Sequence, residues 1–161
     1  MTRYVTQTVL ALLLAGPLLA ASGLSDRIRT EAAGDRALAG TSVTIETEGG
    51  AVVLGGTVRL YSQKLRWEQV AWRTAGVEDV DNEIRVLPVM PIGDDGLRRA
   101  IATLIHDTPR FHGARLSVDV ARGVVRLSGT FHDAADVLLL KHRVAEIEGI
   151  TGITIDARFR A

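Results

Sequence analysis

Gly123-Val124-Val125-Arg126-Leu127-Ser128-Gly129-Thr130-Phe131 repeats an earlier phrase, Gly50-Ala51-Val52-Val53-Leu54-Gly55-Gly56-Thr57-Val58, 73 residues on. Read as a strand, each copy alternates. Val125, Leu127, Gly129 and Phe131 turn one way, as do Val52, Leu54, Gly56 and Val58, while Arg126 and Thr130 turn the other. One face is therefore buried. The glycine on that face in both copies predicts that another element, a helix, comes too close there to admit a side chain.

The spacing extends well beyond the strand. Leu24 pairs with Leu97, Ile28 with Ile101, Gly40 with Gly113, Leu65 with Leu138, and Gly76-Val77 with Gly149-Ile150. One offset held without a gap over about 65 residues marks an internal duplication. Two copies are too few for a solenoid, so the chain reads as two small similar domains. At about 65 residues each is near the lower limit for an independent core, and the two are expected to lean on each other.

Composition narrows the function. The chain has 161 residues, 47% hydrophobic and 24% charged, as a folded protein has. Its formal charge is zero, and loss of residues 1–22 with Arg3 leaves −1. A nucleic-acid partner normally needs a marked basic excess, which is absent. There is no cysteine, which excludes disulfides, thiolate metal sites, cysteine nucleophiles and a cysteine-linked lipid anchor.

Residues 1–23 read as a processing segment. Arg3 gives a basic start, Val9 to Ala15 an apolar centre, and Gly16-Pro17 a break before the small residues Ala20-Ala21-Ser22. Cleavage is expected after Ala21 or Ser22. The alternative, a retained membrane anchor, needs roughly 20 apolar residues against about 13 here.

The first half then reads as a helix over 24–33 capped by Ser25 or Asp26, a strand over 43–47, the Glu48-Gly49-Gly50 turn, and a strand over 51–59. A helix capped by Ser62 runs to Ala75 and Gly76, and a strand covers 80–87. Pro88 to Gly93 is a stiff connection, and the linker between the domains is set at 89–96. The second half repeats the series: a helix from Leu97 to His106 capped by Asp94 or Asp95, strands over 116–120 and 123–131, a helix opened by Asp133 and Asp136 and ended by Gly149, and a strand over 153–159. The fold class is α+β: two tandem α-β-β-α-β domains, 24–88 and 97–161, each a small three-stranded sheet with two helices on one face.

These motifs resemble the BON domain, a bacterial module with a "G-x-V-x-L-x-G-x-V" strand, a helix, and then "G-V-x-x-V-x-N-x-I-x-V". Gly50 to Val58 and Gly76-Val77-Glu78-Asp79-Val80-Asp81-Asn82-Glu83-Ile84-Arg85-Val86 match it closely. The second half offers Gly123 to Phe131 and Gly149-Ile150-Thr151-Gly152-Ile153, and departs where Ile155 replaces the asparagine and Ala157 the following isoleucine. The resemblance implies an exported, non-enzymatic envelope protein, similar to osmotically induced periplasmic proteins. It also implies binding to phospholipid surfaces and a role in envelope integrity under stress. Without a cysteine, the soluble periplasmic form is the closer likeness, rather than a lipoprotein.

No chemistry-bearing motif competes with that reading. His106, His112, His132 and His142 lack the i, i+4 spacing of a helical metal site and read as surface histidines. The acids Glu78, Asp79, Asp81 and Glu83 lack calcium-loop spacing, no Gly-x-Ser-x-Gly elbow occurs, and no cofactor is expected. The informative stretch is the helix from Ser62 to Ala75. Trp67, Ala71 and Thr74 face inward, matching Leu140, Val144 and Ile147, and Trp72 is turned about 140° away from Trp67. Lys64, Arg66 and Arg73 surround the rings. Such a helix suits an anionic phospholipid surface, although Trp67 in the core and Trp72 against the other repeat is the plainer reading. Leu138 and Leu139 give the second repeat's helix an extra apolar face, for the first domain, a second chain or lipid.

The candidate binding residues are thus Lys64, Arg66, Trp72, Arg73, Leu138 and Leu139. The rival functions are a protein-binding envelope adaptor without lipid contact, and a small-molecule carrier or enzyme with a pocket between the domains. Oligomeric state is not legible in the sequence.

Overall fold

The computed structural model describes residues 23–90 and 92–159; the proposed processing segment lies outside them, apart from Gly23. Leu24–Ala33 forms α1, Ser42–Glu48 β1, Ala51–Val58 β2, Tyr61–Arg73 α2, Asp79–Asn82 β3 and Arg85–Val86 β4. Asp94–Asp107 then forms α3, Leu116–Ala121 β5, Val124–Phe131 β6, Ala134–Ala145 α4 and Gly152–Phe159 β7. The chain is α+β, with two sheets.

In each repeat a hairpin is followed by a helix that carries the chain back to lie parallel to the hairpin's second strand. β1 pairs antiparallel with β2, which pairs parallel with β3 and β4. Likewise β5 pairs with β6, and β6 with β7. The repeated phrase is thus the central strand, and its alternation is as read: Val52, Leu54 and Val58, like Val125, Leu127 and Phe131, are buried. Ile28 of α1 and Trp67 and Ala71 of α2 pack on the first set, while Leu97 and Ile101 of α3 and Leu140 and Val144 of α4 pack on the second. Both helices of each repeat share one face of its sheet. Trp67, only 7% exposed, satisfies its indole N–H on Thr41 Oγ1 at 3.1 Å, as a buried donor must.

The central glycine departs from expectation. A Cβ on Gly56 would lie 2.3 Å from the Ser42 carbonyl oxygen, and one on Gly129 would lie 2.3 Å from that of Arg115. The neighbour that excludes a side chain is the backbone of the hairpin's first strand, not a helix. At Gly56 the chain also adopts φ +103°, open to glycine alone at little cost.

Helix starts also differ. α1, α2 and α3 begin after Gly23, Leu60 and Gly93, and Ser25, Asp26, Ser62, Asp94 and Asp95 make no capping bond. Gln63 Oε1 reaches back and accepts the Arg59 and Leu60 N–H groups at 3.1 Å, fixing the chain as it enters α2. Asp94 reaches the β5–β6 turn and accepts from the N–H groups of Arg122 (2.8 Å) and Gly123 (2.9 Å). Both turn residues have positive φ, as a two-residue hairpin turn of this hand requires. Asp133 does cap α4, accepting from the Asp136 N–H at 2.9 Å.

The first repeat's last strand, expected to be continuous, is in two pieces. Asn82 Oδ1 accepts the Ile84 N–H at 3.2 Å and turns the chain there. Its amide nitrogen donates across to α2, to the Lys64 carbonyl (3.0 Å) and Glu68 Oε2 (3.1 Å). In the second repeat Ile155 stands in its place and β7 runs unbroken.

The repeats do lean on each other. Tyr61, at the start of α2, packs against the second core. Burial raises the pKa of its phenol, and the nearby Ile153 N–H opposes that shift. The linker is held as well, since Glu148 Oε1 accepts the N–H groups of Val89 (3.0 Å) and Met90 (3.2 Å).

Candidate functional site

α2 and α4 come from different repeats and lie side by side, and the seam between them is a shallow groove. Leu65, Arg66, Glu68, Gln69 and Trp72 line it from α2, and Leu138, Lys141 and His142 from α4. Leu65 and Leu138 are equivalent in the two repeats, and so are Glu68 and Lys141. Trp72 is 49% exposed and Leu138 56% exposed. Each is turned away from its own core by the helical step, so neither repeat buries it. The groove's volume of about 210 Å³ is below the roughly 300 Å³ at which small-molecule pockets begin. A surface fits this shape better than an enclosed ligand does.

The six residues singled out from the sequence are distributed unevenly. Trp72, Leu138 and Arg66 all line the groove. Arg66 is also ion-paired with Asp35, and its hydrogen bond holds the Asp35 carboxyl below the usual carboxylate range. Arg73 is exposed in the last turn of α2. Lys64 is turned elsewhere, donating to the Ile84 carbonyl at 2.8 Å. Leu139 is partly buried against the second core. Sequence reasoning missed Lys141 and His142, which follow Leu138 by three and four residues, one turn along the same helix face. Lys141 and Arg73 make no ion pair among the described residues.

A second cluster was not anticipated. His132, Asp133 and Asp136 place ligand atoms within 4.8 Å of one another. Arg110 is already there, bonded through Nε to Asp136 and through Nη2 to Asp133 at 3.4 Å. These carboxylates, Asp136 first, raise the pKa of its guanidinium. A cation would have to displace Arg110 from Asp136, which is only 4% exposed. The cluster is therefore an internal ion pair joined to a helix cap.

Among the described residues no helix is long and apolar enough to cross a membrane. The sequence pattern of the BON domain matches residues 20–88 and, a second time, residues 93–160. No curated protein matches the sequence. Among solved structures, the chain is similar to CdsD, a structural protein of the type III secretion system of Chlamydia trachomatis. The identity is 13% and the TM-score 0.30, covering 83% of this chain and 90% of that one. The C-terminal domain of CdsD gives the same identity and TM-score, over 84% and 96%. These two likenesses are too distant to carry a functional conclusion.

Proposed function

Because the chain belongs to the BON-domain family, whose modules are non-catalytic binding domains of envelope-associated proteins, we propose that it is an exported periplasmic protein that binds anionic phospholipid surfaces. It would do so through the α2–α4 groove, in support of envelope integrity under stress. The observation that carries this reading is that Trp72 and Leu138, half-exposed side chains from two repeats, line one groove together with Lys141, with Arg73 next to Trp72 in sequence and exposed. An indole at headgroup level with cations toward phosphate is a favourable arrangement at a bilayer interface. Export rests on the basic start, the short apolar centre and the small residues before Gly23.

Flotation with neutral and anionic vesicles at low and high salt tests the proposal. Binding is expected to need anionic lipid and to weaken with salt. A Trp72→Ala, Arg73→Ala variant is expected to lose most of it, and so is Leu138→Ala, Lys141→Ala. Absence of flotation on every lipid rejects direct lipid binding and favours an adaptor that docks a protein partner on the same groove.

A further inference from the structure

The two repeats differ at the outer edge of their last strand. In the first repeat Glu83 N–H donates to the Leu54 carbonyl (2.9 Å) and Leu87 N–H to that of Val58 (2.8 Å). Odd-numbered residues of this strand thus turn their peptide groups toward β2, and even-numbered residues turn theirs outward. The outward groups of Ile84 are both occupied, the N–H by Asn82 Oδ1 and the carbonyl by Lys64 Nζ. Broken and capped in this way, the edge is closed to another strand.

In the second repeat the parallel register is the same, so Ile153, Ile155, Ala157 and Phe159 take the outward positions. The Ile153 N–H lies near the Tyr61 phenol, which packs over this end of the strand. Beyond it the protection ends, because Ile155 and Val137 replace Asn82 and Lys64 and neither side chain can form a hydrogen bond. Among the described residues no strand lies along this edge. β7 is eight residues long, contains no proline or lysine, and ends in Phe159, 54% exposed.

We propose that this edge joins two copies of the chain, β7 pairing antiparallel with β7 of the second copy and Ala157 lying opposite Ala157. The register follows from charge. With that centre, Asp156 faces Arg158 of the second copy on the sheet's outer face, and Arg158 faces Asp156, giving two cross-strand ion pairs. Moving the centre one residue either way sets Asp156 against Asp156 or Arg158 against Arg158. The same register pairs the outward peptide groups of Ile155, Ala157 and Phe159 and lays the Phe159 ring on Ile155 of the second copy. The two-fold axis is perpendicular to the sheet, so the result is a continuous six-stranded sheet with both helix layers on one side. The pairing does not depend on lipid binding.

Sedimentation of the purified full chain from micromolar to several hundred micromolar tests it. A monomer–dimer equilibrium is expected. Asp156→Arg and Arg158→Asp should each weaken association about tenfold or more, and the double exchange should restore it. Ala157→Pro removes an outward N–H that β6 does not use, so dimer should be lost while far-UV circular dichroism is kept. A parent chain that stays monomeric throughout overturns the proposal. So does a dimer indifferent to both single charge variants.

Discussion

Asn82 and Ile155 occupy the same position in the two repeats, and the last strand breaks after the first and runs straight through the second. The asparagine joins strand to helix, since its amide donates to Lys64 and Glu68 while its oxygen holds Ile84. Replacing it with Ile removes three hydrogen bonds from a partly buried site. Urea unfolding of Asn82→Ile is expected to show a loss of about 1–3 kcal/mol. Amide exchange at Ile84 should quicken, because its N–H loses its partner. An unchanged midpoint would mean that the break does not depend on Asn82.

Gly56 and Gly40 separate two causes of glycine use. Both have positive φ, +103° and +75°, but a Cβ at Gly40 would meet nothing within 4 Å, whereas one at Gly56 would strike the Ser42 carbonyl. Gly40→Ala is expected to cost about 1–2 kcal/mol for the backbone conformation alone. Gly56→Ala adds a clash between strands and should cost about 3 kcal/mol or more. Thermal or urea denaturation of the pair distinguishes them, and equal losses would rule out the steric account.

Acid should unfold the protein through its bonded carboxylates. Asp35 is held below the usual range by the Arg66 hydrogen bond, Asp94 by the N–H groups of Gly123 and Arg122, and Asp133 by the N–H of Asp136. Each binds fewer protons folded than unfolded, so its contribution is fully present above the unfolded value of about 3.9. That contribution drains away as pH falls through the lower folded values. The urea midpoint should fall below about pH 4, and Asp94→Asn should flatten that acid limb. A midpoint constant down to pH 3 would show that these contacts contribute nothing.

The duplication, the strand phases and the buried faces were legible because each depends on spacing within one segment. Val52 and Leu54, or Val125 and Leu127, must share a face whatever lies over them. The Trp67–Trp72 division was legible for the same reason, through the helical step. The caps were not. Ser25, Ser62 and Asp94 had suitable chemistry, but Gln63 sits close enough to bond two N–H groups at the start of α2, and Asp94 had a hairpin turn within reach. Lys64 was drawn off in the same way by the Ile84 carbonyl, 20 residues away in sequence, and Arg66 by Asp35.

By itself, then, the sequence determined the repeat, the α-β-β-α-β order, the alternation and the inward helix faces, since periodicity is a local property of the backbone. Tertiary structure alone decided which side chains come together: Trp72 and Leu138 along one seam between repeats, Tyr61 against the second core, and Arg110 with Asp136. Those pairings depend on how separate elements pack, and neither segment's own pattern carries the position of the other.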